Sequence, residues 1–142
     1  MVRNRLVVDY TYDFELFGII SHLKEYRLAW LLNNQLKIHL VKQNDIIHEF
    51  IDEEKIYVSN YLYETENTQL RLLRNKSENK NSEKSAFLLP ELHKFDFFIM
   101  KNGVIDGKDD LGLLAKLKEI DEIQYVTSFD ISKLKSRENL IF

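Results

Sequence analysis

The chain holds a single proline, Pro90, and it stands just before the most apolar strand-like run, Phe95 to Met100. Proline fixes its own φ, holds the preceding residue extended, and can neither donate to a sheet ladder nor continue a helix, so the chain must turn at Leu89-Pro90-Glu91. After the turn, Phe95, Phe97 and Ile99 alternate with Asp96, Phe98 and Met100, and every one of these is apolar except Asp96. A strand apolar on both sides belongs in the middle of a sheet, with cover on each face. The other segments have to be arranged around it.

Before that corner, residues 6–10 and 12–20 are rich in β-branched and aromatic residues, and the second run alternates with a period of two, which predicts strands. Ser21 is placed to cap a helix running through Leu36, with Leu23, Tyr26 and Trp30 on one stripe and Leu28, Leu32 and Leu36 on another. So wide an apolar arc calls for burial against more than one neighbour: the sheet, and either a second helix or a second subunit. Lys37 to Lys42 alternates again as a strand. Gln43 to Glu54 is a charged connection with one helical turn, its apolar side made by Ile46, Ile47, Phe50 and Ile51. Residues 56–63 and 68–74, joined across Glu66-Asn67, form an antiparallel hairpin. Asn75 to Ser85 contains only Asn, Lys, Ser and Glu, so it is predicted to be a mobile polar loop, with Lys76, Lys80 and Lys84 diluted by Glu78 and Glu83.

Ala86 to Leu89 resumes a strand, the corner follows, and the central strand ends at Asn102-Gly103. Asp109 or Asp110 caps a helix whose Leu113, Leu114, Leu117 and Ile120 make one stripe. Ile123 to Ile131 is strand-like, and a short basic helical turn precedes Leu140-Ile141-Phe142. The order strand, helix, strand, hairpin, strand, helix, strand predicts one α+β domain over residues 1–142. In it a mixed, mostly antiparallel sheet carries two main helices on one face, in a ferredoxin-like or ACT-like order with an inserted hairpin.

Several function classes are disfavoured by composition. Lys and Arg number 20 against 23 Asp and Glu, a net charge of −3, which argues against a dedicated nucleic-acid binder. The absence of cysteine removes thiolate nucleophiles, disulfides and Cys-ligated metals. With no signal-peptide core and no apolar run of the ~18 residues a membrane helix needs, the chain reads as cytoplasmic. His22, His39, His48 and His93 are scattered without ligand spacing, so no metal or cofactor is expected. Asp106-Gly107-Lys108-Asp109-Asp110 resembles a calcium loop, but Leu111 and Leu117 stand where the Gly and the Glu of such a loop belong.

Two sets of residues could carry function. Glu91, His93 and Asp96 are the densest titratable cluster, and paired carboxylates with a His can work as acid and base. The alternative is that both carboxylates accept backbone N–H bonds that hold the corner. Tyr57, Tyr61 and Tyr63 form a row on one strand face, suited to a flat ligand, to a peptide, or to ordinary sheet packing. Trp30, with Arg27 beside it, offers a further aromatic surface and a cation–π contact.

Leu89-Pro90-Glu91, three residues, then Phe95-Asp96-Phe97 resembles the signature of the bacterial IPExxxVDY family. Pro90, Glu91 and Asp96 match it outright, whereas Leu89, Phe95 and Phe97 are same-class replacements. The likeness extends to Tyr12-Asp13-Phe14 through Ser21, to Tyr26 through Trp30, and to Ser136 through Phe142. It implies no activity, and Phe97 lacks the hydroxyl of the signature tyrosine. The expectation is therefore a small non-enzymatic binding or protein-interaction module that self-associates as a homodimer and engages a protein or small-molecule partner. An enzyme using Glu91, His93 and Asp96 is the alternative, and an RNA-binding accessory factor the more distant one.

Overall fold

The computed structural model describes residues 13–49, 55–77, 86–103 and 110–142. Strands β1 (Glu15–Ile20), β2 (Val41–Lys42), β5 (Asn60–Glu64), β6 (Thr68–Arg74), β7 (Phe97–Gly103) and β8 (Tyr125–Phe129) form one sheet in the order β2-β5-β6-β7-β1-β8. A two-stranded ribbon, β3 (Ile46–Glu49) with β4 (Lys55–Val58), lies apart from it. Helices α1 (Glu25–Leu36) and α2 (Asp110–Lys118) complete the α+β architecture. Every strand pairing among the described residues is antiparallel. The order β6-β7-β1-β8 interleaves two split βαβ units, one through α1 and one through α2, with β2 to β5 inserted between α1 and β6.

The segment after the proline is indeed inside the sheet, with β7 hydrogen-bonded to β6 on one side and to β1 on the other. Its two faces meet different covers. Phe97 and Ile99, with Phe17, Ile19, Leu70 and Leu72 of neighbouring strands, pack against Leu28, Leu32 and Leu36 of α1 and Leu113 and Leu117 of α2. On the opposite face Phe98, Leu16 and Leu73 meet no α-helix among the described residues. Leu88 and Leu89 of the corner, Ile56 and Val58 of β4, and Ile131, Leu134 and Leu140 of the tail cover them instead. Gly18 in β1 makes room here, because a Cβ would lie 2.5 Å from Phe129 Cε2 and 2.8 Å from Phe95 Cδ1. Those two rings meet edge to face with centroids 5.1 Å apart.

Several boundaries differ from the sequence expectation, each for a local reason. Helix α1 starts at Glu25, with Lys24 at the cap position and no side-chain cap. Ser21 is spent elsewhere, its hydroxyl donating to the Glu122 carbonyl and accepting the Leu23 N–H. The expected helical turn within 43–54 is a strand where it is described, since Ile46 to Glu49 pair with Lys55 to Val58. The long strand 56–63 is broken at Ser59, whose carbonyl accepts the Arg74 N–H, and the buried Asn60 beside it bonds the Asn44 and Val58 carbonyls. Ala86 to Leu89 contributes one bridge, Lys76 to Phe87, in place of a strand. Two single 3-10 turns, Ile131–Lys133 and Arg137–Leu140, form the tail. The expected strand 6–10, the loop from 78 to 85 and the Asp106 to Asp109 stretch lie outside the described residues.

Candidate functional site

Leu89 is extended (φ −121°, ψ 90°) and Pro90 opens a 3-10 turn, Pro90–Leu92, as a residue that fixes φ and lacks an N–H should. The corner is held by Asn75, one residue past the end of β6. Its Nδ2 donates to the Leu92 and Phe95 carbonyls at 2.9 Å each, and its Oδ1 accepts the Leu89 N–H at 2.9 Å. Its main chain adds bonds to the Asp96 carbonyl and from the Leu88 N–H. This residue, placed by composition in the polar loop, is 1% exposed. A lone Asn in a polar run gives no sign of such burial, because its partners lie 14–20 residues away.

Glu91, His93 and Asp96 do not converge. The Glu91 carboxylate accepts the Ser136 N–H at 2.7 Å and so ties the corner to the tail. Burial raises its pKa, but the hydrogen bonds from Ser136 and neighbouring main chain outweigh that and leave it below the ordinary carboxylate value. Asp96 Oδ2 accepts the Ser21 N–H at 2.9 Å, holding the end of β1. The His93 ring is exposed, tilted against Phe87, with Nδ1 3.3 Å from the Pro90 carbonyl oxygen.

His93 and Asp96, without Glu91, border a cleft of about 760 Å³. Its walls come from the first turn of α1 and the residues before it, from β2 (Lys42), from β5 and the break before it (Tyr61, Ser59), from the end of β6 and just beyond (Arg74, Lys76), and from the corner (Phe87, Phe95, Phe97). At the inner end a polar chain forms: Lys42 Nζ donates to Ser59 Oγ, which donates to Glu25 Oε1, and Lys42 Nζ also lies 3.5 Å from that oxygen. Glu25 Oε2 is buried and has no hydrogen-bond partner among the described residues. Burial, then the Glu25 carboxylate, pushes the Tyr61 hydroxyl pKa up. Lys24, Lys42, Arg74 and Lys76 outnumber Glu25 and Asp96 around the cleft, giving it a cationic balance inside a chain of negative net charge.

The tyrosine row does not exist as one surface. Tyr57 belongs to the separate ribbon, while Tyr61 and Tyr63 of β5 are half-buried against the helix-side core. Only Tyr61 reaches the cleft. Trp30 is 58% and Tyr26 59% exposed on the outer side of α1, with the Arg27 guanidinium 5.6 Å from the Trp30 ring centroid. Tyr26 also borders the cleft. The residues that sequence reasoning missed are Glu25, Lys42, Ser59, Arg74 and Asn75. The one available signal was the polar pair Ser59-Asn60 interrupting an otherwise β-rich run.

Among the described residues no group of three or more His, Cys, Asp or Glu side chains could hold a metal ion, and no helix is long and apolar enough to cross a membrane. No protein-family model matches the chain, and no curated protein is significantly similar to it.

Proposed function

We propose that the protein is a cytoplasmic, non-enzymatic binding module whose cleft between the start of α1, β5 and the proline corner takes a small anionic molecule. The observation carrying this reading is the composition of that cleft: cationic Lys24, Lys42, Arg74 and Lys76 surround the aromatic rings of Tyr61, Phe87 and Phe95. A ligand with a carboxylate or phosphate and a flat apolar part meets both, the charge by ion pairing and the ring by burial. The catalytic alternative is weakened because its two carboxylates are separated, Glu91 on Ser136 and Asp96 on Ser21. The likeness to the IPExxxVDY signature belongs to the same proposal and adds no chemistry, and so does self-association through the outer side of α1.

Thermal unfolding with a panel of carboxylates and phosphates at millimolar concentration tests it. A ligand at a hundred times its Kd stabilises by about 2.7 kcal/mol, a shift of several degrees for a chain of this size. Lys76→Glu, at an exposed position, should remove most of that shift while leaving the unliganded midpoint within a degree or two of wild type. A panel with no stabilising anion, or stabilisation indifferent to Lys76→Glu, contradicts the proposal.

A further inference from the structure

The inner end of the cleft is not built for an anion alone. Glu25 is the first residue of α1, its side chain is only 13% exposed, and its two oxygens are unequally served. Oε1 receives both Ser59 and Lys42, whereas Oε2 is buried with no donor. A buried carboxylate oxygen without a hydrogen bond is costly, so a donor that reaches it is favoured. The cation now over Glu25 is Lys42, whose side chain is 46% exposed on a long flexible stem, and a half-exposed ion pair is a weak restraint. An ammonium has three N–H donors and can bridge both carboxylate oxygens, whereas that of Lys42, tethered to β2, reaches Oε1 alone. Arg74 and Lys76 line the wall that a negative group would face, and Tyr61, Phe87 and Phe95 line the part for a ring or alkyl chain.

Resting on the binding reading above, we infer that the ligand is zwitterionic, an amino acid with an aromatic or large apolar side chain, whose ammonium takes Glu25 and displaces Lys42. Its carboxylate meets the Arg74 and Lys76 side of the cleft. The cationic walls select the carboxylate end, while Glu25 favours molecules that also carry the ammonium, because only the ammonium brings a donor to its orphaned oxygen.

Calorimetric titration of the full chain with phenylalanine, 3-phenylpropionate and phenylalanine amide separates the terms. The first probe has the amine, carboxylate and ring, the second lacks the amine, and the third lacks the free carboxylate and stands for an amine within a peptide. Phenylalanine should bind at least about tenfold more tightly than either analogue, the factor one lost charge-assisted hydrogen bond brings. Glu25→Gln should erase the advantage over 3-phenylpropionate and leave 3-phenylpropionate itself unchanged. If 3-phenylpropionate binds as tightly as phenylalanine, the ammonium inference is overturned while the anion-binding reading stands. Equal binding of the amide overturns the carboxylate end and assigns the site to peptide N-termini. If all three fail while another anion from the thermal panel binds, the amino-acid assignment falls alone; if that panel is also silent, both fall. Should Glu25→Gln not fold by circular dichroism, the three-ligand comparison on the wild type still decides.

Discussion

Asn75 shows how much one polar side chain can organise when it is fully satisfied. Its three side-chain bonds join the end of β6 to both arms of the proline turn, so its removal leaves two carbonyls and one N–H without partners in a buried place. Asn75→Ala is expected to cost about 3 kcal/mol or more, read as a lowered urea midpoint at unchanged m-value. Asp96→Ala, which takes the acceptor from the N–H of the buried Ser21, should cost about 1–2 kcal/mol. A larger loss at Asp96 than at Asn75 would reverse the ranking of what holds the corner. Glu91 adds a pH dependence. Its carboxyl is more acidic folded than in the unfolded chain, so the stability it contributes is present above the unfolded pKa and disappears as pH falls through the lower folded value. Because the group is exposed, the contribution should stay under about 1 kcal/mol. Wild type minus Glu91→Gln, followed by urea unfolding from neutral pH down to about pH 3, should shrink towards zero. A difference that grows on acidification would contradict the Ser136 contact.

At the scale of the element, α1 explains why an apolar arc is not the same as a buried one. Leu28, Ala29, Leu32 and Leu36 form the single stripe that faces the sheet. Tyr26 and Trp30 widen the arc in sequence yet stand outside it in space, where Arg27 and solvent meet the rings. The homodimer proposal rests on this outer side. Wild type is expected to be dimeric by light scattering at protein concentrations of tens of micromolar, with Trp30→Glu monomeric and equally helical by circular dichroism. A monomeric wild type removes the homodimer and leaves the cleft untouched. Gly18→Ala in β1 makes a second element-scale test, since the added methyl must push the Phe95 and Phe129 rings apart. Overpacking of this kind costs about 1–3 kcal/mol, and a neutral result would mean the rings have room to yield.

Across the whole molecule, the parts legible in sequence were those set by periodicity and by the proline. The alternation in 95–100 placed β7 at the centre of the sheet, the hairpin of β5 and β6 followed from two runs around a turn, and the stripes of Leu in both helices named their buried sides. What stayed hidden was whatever depends on contacts between distant residues. Glu25, Lys42 and Ser59 meet across separations of 17 and 34 residues, and nothing local marks any of them. Glu91, His93 and Asp96 are close in sequence but diverge, because Glu91 sits in the 3-10 turn with its carboxylate on Ser136, whereas Asp96 lies beyond the turn with its carboxylate on Ser21. The cleft is thus a product of the topology: the β2 to β5 insertion brings Lys42, Ser59 and Tyr61 beside the corner and the start of α1.

That this cleft is the place of binding is the central claim, and amide NMR mapping with 3-phenylpropionate, which has the anionic group and the ring, tests it most directly. The account predicts saturable shifts grouped at Leu23 to Tyr26, at Ser59 and Tyr61, at Arg74 to Lys76 and at Phe95 to Phe97, with α2 around Lys116 silent. Shifts centred on β8 or on the outer side of α1, or no saturable shift anywhere, would contradict it.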